Sequence, residues 1–196
     1  QTVLILCPGG KSGSYAVPGG VSTIEDRAFR PCYELTQVSI PSSVNHIGEQ
    51  AFALCENLIS ISVDTQNGHY SSVEGSLFNK SGTVLIQCPG GKSGSYTIPD
   101  GVIRIENHAL SGCFNLTSVT IPEGVTRIGD FAFLFCQNLS SAPLPNSVTS
   151  IGRRAFSVCS KLTNVVIPGS VKNIGELAFR SSGLTSLTIS EGVTVK

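Results

Sequence analysis

Apolar residues in this chain recur in a fixed order. In Leu162–Ile167 the pattern Leu162-x-x-Val165-x-Ile167 alternates with polar positions and stops at Pro168. Such alternation predicts a short strand, and proline, which cannot donate to a ladder, marks its end. Gly169-Ser170 reads as a turn. Val171-x-x-Ile174 then runs down a far side, with room for a second short strand. Gly175–Phe179 is too short for a stable free helix, so a single α- or 3-10-like turn is expected there. Ala178 is small enough for close approach to a neighbouring coil, and Phe179 fills the ribbon between coils.

The same order returns along the chain. Pro18 and Pro41 are 23 residues apart, and the same step separates Pro99, Pro122, Pro145 and Pro168. An Ala-Phe pair keeps that step at Ala28-Phe29, Ala51-Phe52, Ala132-Phe133, Ala155-Phe156 and Ala178-Phe179, with Ala109-Leu110 as a variant. Cysteines follow at Cys32, Cys55, Cys113, Cys136 and Cys159, and a leucine closes each of six units. A unit this short buries too little to fold alone, whereas stacking gives each side chain a copy above and below.

The spacing Leu-x-x-Val-x-Ile, followed by Pro and then by Val148-x-x-Ile151-Gly152, resembles the Treponema/BspA-type class of leucine-rich repeat, whose consensus is close to IPxxVxxIgxxAFxxCxxLtsv. The resemblance covers essentially the whole chain. It implies a leucine-rich-repeat solenoid: a right-handed, β-rich superhelix with one parallel-sheet strand per 23-residue repeat and short 3-10 or helical turns on the far side.

On this reading the chain is one solenoid fragment. Residues 1–16 form a partial irregular unit, 17–62 hold repeats one and two, and 63–97 interrupt the series. Residues 98–188 hold repeats three to six, and 189–196 begin a truncated repeat. Thr2–Cys7 reads as a strand ended by Pro8-Gly9-Gly10. Within the interruption, Ser76-Leu77-Phe78 and Thr83–Gln87 flank Asn79–Gly82 and predict a hairpin, while Gln66–His69 is loop by composition. Thr2–Val17 and Thr83–Ile98 match at 13 of 16 positions, so the array reads as a duplicated composite block. The first unit after each copy carries Glu25 or Glu106 where the others carry Gly48, Gly129, Gly152 or Gly175. The lack of methionine and the broken outer units suggest a chain processed or cut from something longer.

Composition narrows the function. Acidic and basic residues balance at 13 each, and charged residues make up 13% of the chain. Long-range attraction to nucleic acid or an anionic membrane is not supported, and no apolar run is long enough to span a membrane. The seven cysteines lack CxxC spacing and read as small buried thiols in a core column rather than metal ligands or disulfides. Gly90-Gly91-Lys92-Ser93 and Gly9-Gly10-Lys11-Ser12 lack the first glycine of a phosphate-binding loop, with Ile86 and Ile5 in its place, and read as surface turns. His46, His69 and His108 read as solvated. Asn79, Asn115 and Asn138 sit in glycosylation sequons, two of which the repeat itself explains. No cofactor or metal is expected, and no enzyme, since Asp64, His69, Tyr70 and Glu74 are the sole catalytic candidates.

The candidate binding face consists of strand residues pointing away from the core. These are Gln37 and Ser39, Ser60 and Ser62, Ser118 and Thr120, Ser141 and Pro143, Asn164 and Val166, and Ser186 and Thr188. The expected function is a non-catalytic protein- or glycan-binding or adhesion module. The resemblance adds an extracellular or cell-surface location and a host or matrix partner. The alternative is a structural spacer that positions other domains.

Overall fold

A computed structural model describes residues 2–7 and 10–193. Gln1, the Pro8-Gly9 pair and the last three residues of the truncated repeat lie outside the described residues.

The chain winds as a β-solenoid. Front strands stack in parallel, one per rung: Gly13–Ala16, Leu35–Ile40 and Ser60–Val63 form one sheet, Gly94–Thr97 and Leu116–Thr120 a second, and Asn164–Ile167 and Ser186–Ile189 a third. Between full rungs the register is regular, with Val38 paired to Ile61 and Val165 to Leu187, and each shortened rung joins its neighbour with one register shift, after Gly13 and after Gly94. This puts like columns above one another, with Leu35, Val38 and Ile40 turned inward and Gln37 and Ser39 outward.

Far-side strands stack likewise. Arg104–Ile105, Arg127–Ile128, Ser150–Ile151 and Asn173–Ile174 pair in parallel, so the second strand expected in each unit is present. The remaining turn is not helical among the described residues. It is a run of turns closed by bonds such as Ala155 N–H to Gly152 O and Ser157 N–H to Arg154 O. The reason is a residue held in the left-handed region before each Ala: Arg27, Gln50, His108, Phe131, Arg154 and Leu177 all have φ near +60°, which helix propagation does not tolerate.

Two core ribbons run inside. One holds Phe29, Phe52 and residues up to Leu77, and the other runs from Phe78 to Ala178. The phenylalanine column stacks as predicted, with ring centroids 5.0 Å apart for Phe29–Phe52, 4.7 Å for Phe133–Phe156 and 5.4 Å for Phe156–Phe179. The cysteine column is buried and unpaired. Cys55, Cys136 and Cys159 each donate to a carbonyl of the rung before, at 3.1–3.2 Å.

The interruption joins the ribbons. Its expected hairpin is Ser76–Asn79 against Val84–Gln87, and a third strand, Tyr70–Val73, extends it antiparallel. Alternation along Ser76–Asn79 sends Leu77 into one ribbon and Phe78 into the other. Val84–Gln87 also pairs in parallel with Arg104–Ile105, so residues 84–97 form a shortened rung of the solenoid in their own right. The loop before the hairpin is anchored by Asn67, which is fully buried. Its amide donates to the carbonyls of Pro41 and Val44, and its Oδ1 accepts from His69 and Tyr70 N–H, all at 2.8–2.9 Å.

Candidate functional site

The front strands present an open surface, and the predicted face residues lie along it. Gln37, Ser39, Ser62, Thr120, Ser141, Pro143, Asn164, Val166, Ser186 and Thr188 are exposed, while Ser60 and Ser118 are half-buried. Their hydroxyls link rungs: Ser62 Oγ donates to Ser39 Oγ at 3.1 Å, and Ser118 Oγ to Ser95 Oγ at 2.8 Å.

Four further members of this face were missed by the sequence reading. The shortened rungs contribute Ser14 and Ala16 and, equivalently, Ser95 and Thr97, in register with Gln37, Ser39, Ser118 and Thr120. The signal was the alternation Ser95-Tyr96-Thr97-Ile98 running into Pro99, a proline of the repeat column, with Tyr96 buried where units one, three and five place Val38, Val119 and Val165.

The face is uncharged but not uniform. Between unit two and the shortened rung, the Glu74-Gly75 turn that joins Tyr70–Val73 to Ser76–Asn79 occupies the sheet: Ile61 N–H donates to Gly75 O at 2.8 Å. Gly75 needs its φ of +75° there, and an added Cβ would lie 3.1 Å from Ser60 Cα. In unit four the front strand shrinks to one bridge, Ser118 to Ser141. A cleft of about 270 Å³ opens beyond it, between Ser140–Leu144 and Asn164–Val166.

A second groove, of about 350 Å³, lies on the far side where the ribbons meet. Glu49, Gln50, Tyr70, Gln87, Glu106 and Asn107 line it. The expectation for His108 is corrected beside it. This residue is half-buried, its ring stacks on Phe131 at 4.8 Å, and Nε2 lies 3.3 Å from Gln50 Nε2. Burial, opposed by Glu49, lowers its pKa from the usual 6.5.

The residues considered for catalysis hold local structure. Asp64 Oδ1 accepts Gln66 N–H at 2.8 Å, Tyr70 Oη accepts Ile47 N–H at 3.0 Å, and the Glu74 carbonyl accepts Lys92 Nζ at 2.6 Å. Lys92 also lies over the Tyr96 ring at 5.2 Å, so it is not a free surface cation. Gly90 and Gly91 are there for packing: a Cβ on Gly90 would meet Cys55 O at 2.8 Å. Among the described residues, no group of three or more His, Cys, Asp or Glu side chains could hold a metal ion. Burial pushes the Cys55 and Cys159 thiols up to about 12, far from the range of reactive cysteines.

A parallel β-solenoid with one Leu-x-x-Val-x-Ile strand per rung is a leucine-rich-repeat protein. The chain belongs to the BspA type leucine rich repeat family, which matches residues 11–93 and 90–195 in six copies. Solved structures with the same fold include the pneumococcal vaccine antigen PcpA, at 28% identity and a TM-score of 0.80 over 91% of this chain and 51% of that one. A leucine rich cell surface protein of Faecalibacterium prausnitzii has 26% identity and a TM-score of 0.78 over 91% of this chain and 60% of that one. The T. pallidum leucine rich repeat protein has 28% identity and a TM-score of 0.54, over 97% and 80% respectively. The chain thus spans about half the length of the pneumococcal structure. No curated protein sequence matches it.

Proposed function

We propose that the chain is a non-catalytic recognition module of a secreted or cell-surface protein, binding a protein or glycan through its front sheet. The observation that carries this reading is the face itself. It recurs on successive rungs, broken at two places and lined mainly by small hydroxyl and amide side chains with no charge, and so suits a neutral surface met at many weak points. The neighbours named as a vaccine antigen and a cell surface protein support a surface location. No helix among the described residues is long and apolar enough to cross a membrane.

The test is a glycan and matrix-protein array probed with the chain and with a variant carrying Ser39→Lys, Ser62→Lys and Thr120→Lys. Binding that the variant loses supports the reading. Binding that is equal in both, or absent from both, overturns it and leaves the spacer role, in which deleting whole rungs matters and surface changes do not.

A further inference from the structure

The two interruptions of the front sheet differ in one respect. The Glu74-Gly75 turn fills the first, and nothing among the described residues fills the second. We propose that the cleft between units four and five binds an extended, uncharged peptide segment of a protein partner, gripped through its main chain. This rests on the front face being the recognition surface.

The cleft is written into one stretch, Ser141-Ala142-Pro143-Leu144-Pro145. Pro143 has no N–H for the ladder to unit three. The two prolines also bias Ala142 and Leu144 towards the polyproline region. Ala142 stands where neighbouring units have Val119 and Val165, so side-chain volume is missing beneath the strand.

The pairing that closes the sheet elsewhere is lost. Val17 N–H donates to Ser39 O at 2.9 Å, Ile98 N–H to Thr120 O at 3.0 Å, and Val119 N–H to Ser141 O at 2.9 Å. The equivalent bonds, Leu144 N–H to Val166 O and Ala142 N–H to Asn164 O, are absent among the described residues. One wall therefore offers two N–H groups two residues apart, and the other offers two carbonyls at the same spacing. Backbone groups next to a buried residue such as Ala142 call for partners, and an extended peptide presents C=O and N–H with this period.

The occupant follows from the walls. They carry no charge, so a charged side chain entering the cleft would be desolvated without a counterion. They carry no aromatic ring on which a sugar could stack. A volume of about 270 Å³ suits a small side chain with its flanking peptide groups, not a whole inserted strand. Pro143 and Val166, the latter 56% exposed, supply apolar lips.

The test is a titration of the ¹⁵N-labelled full chain with acetyl-Val-Thr-Val-amide, with its acetyl-Lys-Thr-Glu-amide counterpart, and with N-acetylglucosamine and galactose. The neutral peptide should shift the amide signals of Ala142, Leu144, Asn164 and Val166. Its binding should weaken by at least about tenfold in the double variant Ala142→Val, Pro143→Thr, which restores unit three's residues and closes the sheet. That variant should also resist denaturant better than the parent, so loss of binding cannot be put down to misfolding. Equal binding by the double variant, no shift at these amides, or a response to the sugars alone overturns the proposal. If array binding persists in the double variant while the peptide fails, the front-face reading stands and the cleft does not. If the peptide binds but nothing on the array does, the reverse holds.

Discussion

Gly152→Ala tests the packing logic of the solenoid directly. A Cβ at Gly152 would lie 2.5 Å from Asp130 N and 2.5 Å from the Gly129 carbonyl carbon, both backbone atoms of the rung before. Ordinary contact begins at 3.4 Å, so the two rungs would have to part by roughly 0.9 Å. They are not free to do so, because Phe133 and Phe156 stack at 4.7 Å between the same rungs. Parting would stretch the bonds from Gly152 N–H to Ile128 O and from Arg153 N–H to Asp130 Oδ1, both 2.8 Å, out of hydrogen-bonding range. Overpacking costs about 1–3 kcal/mol and each of the two lost bonds about 1 kcal/mol, so the substitution should cost about 3–5 kcal/mol. The same column supplies its own control. Below Glu106 the rung runs on as a strand to Gln87 instead of turning, and the far-side groove opens there. Glu106→Ala loses only an exposed ion pair to Arg104, worth at most about 1 kcal/mol. Urea denaturation followed by circular dichroism measures both. A loss below about 1 kcal/mol for Gly152→Ala, or equal losses for the two variants, would refute the reasoning.

Asn67→Ala should cost about 2–4 kcal/mol in the same assay, because it strands the Pro41 and Val44 carbonyls and two loop N–H groups at once; a loss below about 1 kcal/mol would mean that water replaces the side chain. The buried thiols, with Cys55 and Cys159 pushed up to about 12, should resist iodoacetamide at neutral pH until the chain unfolds, as mass spectrometry across a urea series would show. His108 is more easily protonated in the unfolded chain than in the folded one. Stability should therefore be full above the unperturbed value of 6.5 and fall as pH drops below it. His108→Phe should flatten this part of the pH–stability curve, and an unchanged slope would place the effect elsewhere.

What could be read from the sequence was whatever repeats. The strand, the thiol column and the phenylalanine stack each recur, so one rung interpreted correctly interprets the others. What could not be read lies where two unlike rungs meet. Glu25 and Glu106 stood out as departures from a glycine column, but the cause is the shape of the rung below them. Asn67 lies in the loop that its composition predicts, but its anchoring role was not legible, because a buried asparagine and an exposed one look alike without their partners. Ser95 and Thr97 escaped because a rung shortened to 84–97 lacks the leucine that closes a full unit.

The same contrast separates two kinds of surface on the molecule. A repeated face offers each partner group the same environment at every rung, so its selectivity comes from number and spacing. A position that departs from the repeat offers something found once, which discriminates between partners only if its neighbours do not already satisfy it. Gly75 departs and is satisfied, since its carbonyl takes the Ile61 N–H. Lys92 departs and is satisfied by Glu74 and Tyr96. The stretch around Pro143 departs, and among the described residues the facing backbone of units four and five stays unpaired across an open cleft. On the proposed reading, that criterion points to Ser141, Asn164 and Val166, rather than to the more numerous serines of units one to three, as the positions where the front sheet would tell one partner from another.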